Sequence, residues 1–151
     1  MAKVGVFETP PRKYFDYDSD TEVELEFISK DRMNKLLKKA EEAARKLRSP
    51  QSLIYDMFLG KAAVHNWRHK VQDKNPGHPG LVLPGGAPLP FNGENRNMLM
   101  EKCAEFSSFV FRTSTSSAMF LDEEPADGDS QTLGELLEEL DLEEDAEPKN
   151  D

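Results

Sequence analysis

Residues 113–151 hold 14 Asp or Glu and one Lys, a net charge of −13. A segment so charged and so poor in apolar residues cannot bury enough surface to offset its own ordering entropy. It is expected to be a disordered acidic tail, and any folded body must come from the residues before it. Across all 151 residues the net charge is −10, so residues 1–112 carry 18 basic and 15 acidic groups. That length suits one domain and is too short for two. A second reversal lies inside it: residues 1–29 hold seven acids and three bases, residues 30–48 eight bases and three acids.

Residues 1–21 mix turn formers with charges (Thr9-Pro10-Pro11, then Asp16, Asp18, Ser19 and Asp20). They read as an extended arm in which Val4, Val6 and Phe7 form at most one short strand. Over 21–28 the pattern sharpens. Val23, Leu25 and Phe27 alternate with Glu22, Glu24 and Glu26, the period of a strand with one buried face. Ser29 then caps a helix, with Asp31 in its first turn. Met33, Leu36, Leu37, Ala40, Ala43, Ala44 and Leu47 draw one apolar stripe along it.

Ser49-Pro50 is expected to cap and start a second helix, with Leu53, Ile54, Met57 and Phe58 as its buried face. Gly60 ends that helix or weakens it. Val64–Val71 either prolongs it or runs extended, with Trp67 as anchor. Nine of the 15 residues over 76–90 are Pro or Gly, which excludes both a helix and a central strand. Asn92 caps the next helix, and Met98, Leu99, Cys103, Phe106, Phe109 and Val110 continue it at helical spacing, whole or broken near Ser107. Order is expected to end at Thr113. Within the tail, Leu133, Leu136, Leu137 and Leu140 make a narrow stripe on a short acidic helix over 132–142, too short to be stable alone.

Catalytic patterns do not assemble. His65 and His69 stand four apart, but Asn66 occupies the place where a metalloprotease motif needs Glu. Gly85-Gly86 opens neither a phosphate loop nor a dinucleotide turn. Cys103, the single cysteine, excludes an internal disulfide and sits on an apolar stripe, where a thiol usually behaves as a small buried hydrophobe. No enzyme, metal or cofactor is expected. The basic stretch at 30–48 suggests nucleic acid, yet charge runs more often mark solvated faces, and the acidic tail would compete with phosphate for the same lysines. No apolar run reaches the ~18 residues of a membrane span, and the first residues lack a signal-peptide core, so a cytoplasmic protein is expected.

The stretch from Trp67 to Met100 resembles the tail assembly chaperones of long-tailed bacteriophages and prophages. The resemblance rests on Trp67-Arg-His-Lys-Val-Gln-Asp73, on Pro88-Leu-Pro-Phe-Asn92, and on the leucine-bearing helix Glu94-Asn-Arg-Asn-Met-Leu99. Upstream, the acidic strand feeding a basic helix from Val23 to Leu47 is also similar, which brings the coverage to about residues 22–112. A Pro/Gly-rich insertion, Asn75 to Ala87, departs from the shorter turn usual in that family. The resemblance implies a protein of the host cytoplasm that coats the tape measure protein, helps recruit tail tube subunits and is absent from the mature virion. A homo-oligomer is compatible with it.

The expected fold is α+β and mainly α. An extended arm at 1–21 is followed by a small domain at 22–112, in which one strand or hairpin precedes three to four helices, and the acidic tail at 113–151 follows. Met57, Trp67, Phe91, Met98, Leu99, Phe106, Leu133, Leu136, Leu137 and Leu140 are the candidate partner-binding residues. Two other functions fit the same residues: a structural minor tail or head–tail connector component, and a nucleic-acid-binding regulator using 30–48.

Overall fold

The computed structural model describes residues 3–121. The chain divides into Phe7–Phe120, which holds every described strand and helix, and a unit formed by the two ends. Of the end unit, Val4 and Val6 are exposed, and a Val6 N–H to Val4 carbonyl bond tightens the backbone between them. The acidic helix expected at 132–142, and the disorder expected beyond residue 121, lie outside the described residues.

Alternation places β2 (Thr21–Glu26) at the centre of a three-stranded antiparallel sheet. Thr21, Val23 and Leu25 are fully buried on one face, while Glu22, Glu24 and Glu26 line the other. Its neighbours are β1 (Arg12–Asp16) and β3 (Val64–His69). β1 corrects the reading of the arm. The strand comes from Arg-Lys-Tyr-Phe-Asp and not from Val4–Phe7, and a turn in which Asp18 accepts from the N–H groups of Asp20 and Thr21 folds it onto β2. A bulge between β2 and β3 pairs Glu24 with Asn66 and Leu25 with Val64, leaving His65 as the extra residue. Val64 and Trp67 consequently both face inward although they are three residues apart.

Helix α1 (Lys30–Leu47) starts where expected: Ser29 Oγ accepts from the N–H of Arg32 at 3.1 Å. It ends at Arg48 in the left-handed conformation, φ 55°. α2 (Gln51–Ala63) begins one residue later than expected, with Pro50 in the cap position. Ser49 does not cap it, because its hydroxyl turns back to the carbonyl of Leu47. α2 has no polar face. Ile54, Leu59, Gly60 and Ala63 are buried in different directions, since α1, α3, α4 and the sheet all pack around this helix. Gly60 lies inside it, and a Cβ there would stand 2.5 Å from Met100 Cγ.

Asn92 caps α3 (Gly93–Lys102), accepting from the N–H of Asn95 at 2.7 Å. The break before α4 (Ala104–Ser114) falls at Cys103 rather than Ser107. Order also extends past Thr113. The Ser114 carbonyl accepts from the N–H of Ile28, and a 3-10 turn at Ser117–Phe120 carries Phe120 into the core. There Phe120 meets Phe15 and Phe27 edge to face, with centroids 5.0 and 5.5 Å away. The folded body is therefore wider than 22–112 at both ends.

Candidate partner-binding surface

The candidate residues divide by burial. Trp67 is 2% exposed and Phe106 1% exposed. Their rings meet at 5.8 Å, and Phe91 closes on Trp67 at 5.0 Å. Trp67 and Phe106 are core residues; neither offers surface to a partner. Trp67 Nε1 donates to the carbonyl of Leu89 at 2.8 Å, so the tryptophan pins the end of the Pro/Gly-rich loop. Met98, Leu99 and Phe91 pack against the core and are half-buried, as is Met57 on α2. Leu133, Leu136, Leu137 and Leu140 lie outside the described residues.

The polar face of the sheet is occupied by its own pairs. Glu26 accepts from Arg32 Nη1 at 2.6 Å, from His65 Nε2 at 2.7 Å and from Arg12 Nε at 3.3 Å. Burial alone would raise its carboxyl, but the hydrogen bonds from Arg32 and His65 outweigh that and hold it below its ordinary range. Glu22 accepts from Arg68 Nε at 2.7 Å, and the Arg68 guanidinium lies over the Tyr14 ring at 3.7 Å. These contacts tie three strands and the start of α1 together.

The histidine pair has a different setting from the one its spacing suggested. His65 and His69 lie on a strand, where four residues span about 13 Å. Helical convergence on one ion is not available to them. His69 and His78 do meet, edge to face at 5.5 Å, but each Nδ1 accepts a backbone N–H, from Val71 and Gly80 respectively. Among the described residues, no three His, Cys, Asp or Glu side chains cluster as a metal site. A shallow open cleft of about 320 Å³ lies beside them, between Gln72, His78, Pro90 and Phe91. Its polar lining is already engaged: Gln72 bonds to His69, His78 and Gly77, and Asn66 to Tyr14. Cys103 is half-buried beside Tyr17, whose phenol is pushed up to about 12 by burial first and by the neighbouring thiol second.

What remains open is α1. Of its seven stripe residues only Ala40 is buried; Met33, Leu36, Ala43 and Ala44 are half-covered. Leu37 is 40% and Leu47 66% exposed. The stripe exceeds what α2 and the core cover: Ala40 is fully buried and Met33 and Leu36 pack against the core, while Leu37 and Leu47 stay open. Along one edge Arg32, Lys39 and Lys46 recur every seven residues. Arg32 is taken by Glu26, whereas Lys39 and Lys46 are exposed and make no ion pair among the described residues. The surface is amphipathic and basic, and burial patterns, rather than sequence spacing, reveal it.

Comparison with family models, with characterised proteins and with solved structures finds no match to this chain. No helix among the described residues is long and apolar enough to cross a membrane.

Proposed function

We propose that this chain is a non-catalytic assembly chaperone of the kind found for long-tailed phage tails. It holds the tape measure protein in solution and helps recruit tail tube subunits in the host cytoplasm. One observation carries the reading: α1 presents an apolar stripe that its own body leaves part-covered, with Leu37 and Leu47 facing water. A long helical partner exposes a matching stripe and would aggregate unless that stripe were shielded. The half-buried methionines Met57 and Met98 supply adaptable packing nearby, and the strong negative charge of residues 113–151 supplies repulsion between loaded complexes.

The test is co-expression with the product of a long, coiled-coil-rich reading frame adjacent to this gene. The reading expects that product to stay soluble and co-purify with the chain, and to precipitate without it. Recovery of the chain from purified particles, in fixed stoichiometry, would replace this reading with a structural tail or connector component.

A further inference from the structure

Resting on the carrier reading, we infer that the outer edge of α1 docks an acidic amphipathic helix, one whose leucine-type stripe is flanked by carboxylates a heptad apart. The argument starts from spacing. Leu36, Ala43 and Leu47 form the part-covered apolar edge of α1, and Lys39 and Lys46 run beside it, seven residues and about 10 Å apart. That is the arrangement by which two helices pair: an apolar seam with charges at its flank that select the partner. Three of the other cations of the helix are paired within the molecule, while Lys30 and Lys38 stay exposed away from this edge. Arg32 bonds Glu26, Lys35 bonds Asp31 at 3.3 Å, and Arg45 lies 3.8 Å from Glu41. Lys39 and Lys46 face water and form no ion pair with a described residue, although Glu42 stands about one turn from each.

Charge complementarity decides between occupants. A second copy of α1 would set lysine against lysine along the same edge. A nucleic acid would meet the basic ridge but would leave Leu36 and Leu47 against water and its phosphates beside them. An acidic helix satisfies both halves of the surface, covering the leucines and neutralising Lys39 and Lys46.

The experiment uses the full chain and two synthetic 21-residue helices, identical in their leucine stripe but flanked by Glu in one and by Lys in the other. Binding is read by calorimetry at low and moderate salt. The Glu-flanked helix is expected to bind about tenfold or more tighter than the Lys-flanked one, with the difference shrinking as salt rises. The Lys39→Glu/Lys46→Glu variant is expected to reverse that preference, and Leu47→Glu to weaken both helices. All three positions are exposed or half-exposed surface, and circular dichroism checks that each variant stays folded. Equal binding of the two helices, or no saturable binding, overturns the proposal. Displacement of the Glu-flanked helix by duplex DNA, with Leu47→Glu inert, would assign the edge to nucleic acid instead. Concentration-dependent dimerisation abolished by Leu47→Glu would assign it to a second copy. Loss of tape-measure solubilisation with the helix preference intact would sink the carrier reading and leave this one standing.

Discussion

The indole N–H of Trp67 donates to the carbonyl oxygen of Leu89 across 22 residues of sequence, at 2.8 Å and out of reach of water. This bond fastens the long Pro/Gly-rich loop to the middle of an edge strand. Replacing Trp67 with Phe would leave the Leu89 carbonyl buried and unpaired and would open space against Phe91 and Phe106. A loss of ~2–4 kcal/mol is expected in urea unfolding, from the orphaned acceptor and the cavity together. An unchanged midpoint would show that the bond contributes nothing.

Glu26 makes stability depend on acid. Its folded carboxyl titrates below its ordinary value, so the stabilisation is present above the unfolded value of about 4.3 and fades as pH falls through the folded one. Glu26→Gln should cost ~1–3 kcal/mol at neutral pH, since Arg32 and His65 lose a charged acceptor. Its stability curve should also be flatter than that of the wild type as pH falls below about 5. Thermal melts across that range measure both effects, and parallel curves would refute the second.

Gly60 carries the close approach of α2 to α3. Gly60→Ala gains ~1 kcal/mol of helix propensity but drives its methyl into Met100, which is 1% exposed and cannot step aside. A net loss of ~1–3 kcal/mol is expected. Pairing it with Met100→Ala should return part of that loss, so a double-mutant cycle should give a coupling of about 1 kcal/mol or more. Strict additivity would mean that the two residues do not meet.

Tyr17 should stand out in an alkaline titration. Its phenol is raised from 10.0 to about 12, so folding favours the neutral form; the associated stability is complete below pH 10 and is lost as pH rises toward 12. Absorbance titration should show one phenol ionising near that upper value, and Tyr17→Phe should abolish it. A titration identical in the variant would place the late-ionising group elsewhere.

The elements legible in the sequence were those whose signal is local. The alternation at 21–28, the Ser29 and Asn92 caps and the role of Trp67 as anchor depend on near neighbours, and each stands in the fold. β1 was missed because Arg-Lys-Tyr-Phe-Asp has no strong strand pattern; it is extended because β2 offers it a ladder. The stripe on α1 marked the right residues and the wrong extent of burial, since periodicity says which way a residue points and not whether anything is there to cover it. The stretch at 64–71 stayed ambiguous for a definite reason: Val64 and Trp67, both inward and three apart, copy helical spacing. Sequence does not separate the two uses open to Trp67 and Phe106, which lie buried in the core, because an aromatic that anchors a core and one that anchors an interface look alike in sequence.

The extra residue in β3 has a consequence for how this chain can vary. Deleting His65 would close the bulge with Val64 still opposite Leu25, but it would remove the imidazole that bonds Glu26 and pull α2, which runs straight into β3, along by one residue. That single residue sets how the helix joins the sheet, so related chains should carry length changes in the loop after His69 and keep the count from Val64 to His69 fixed.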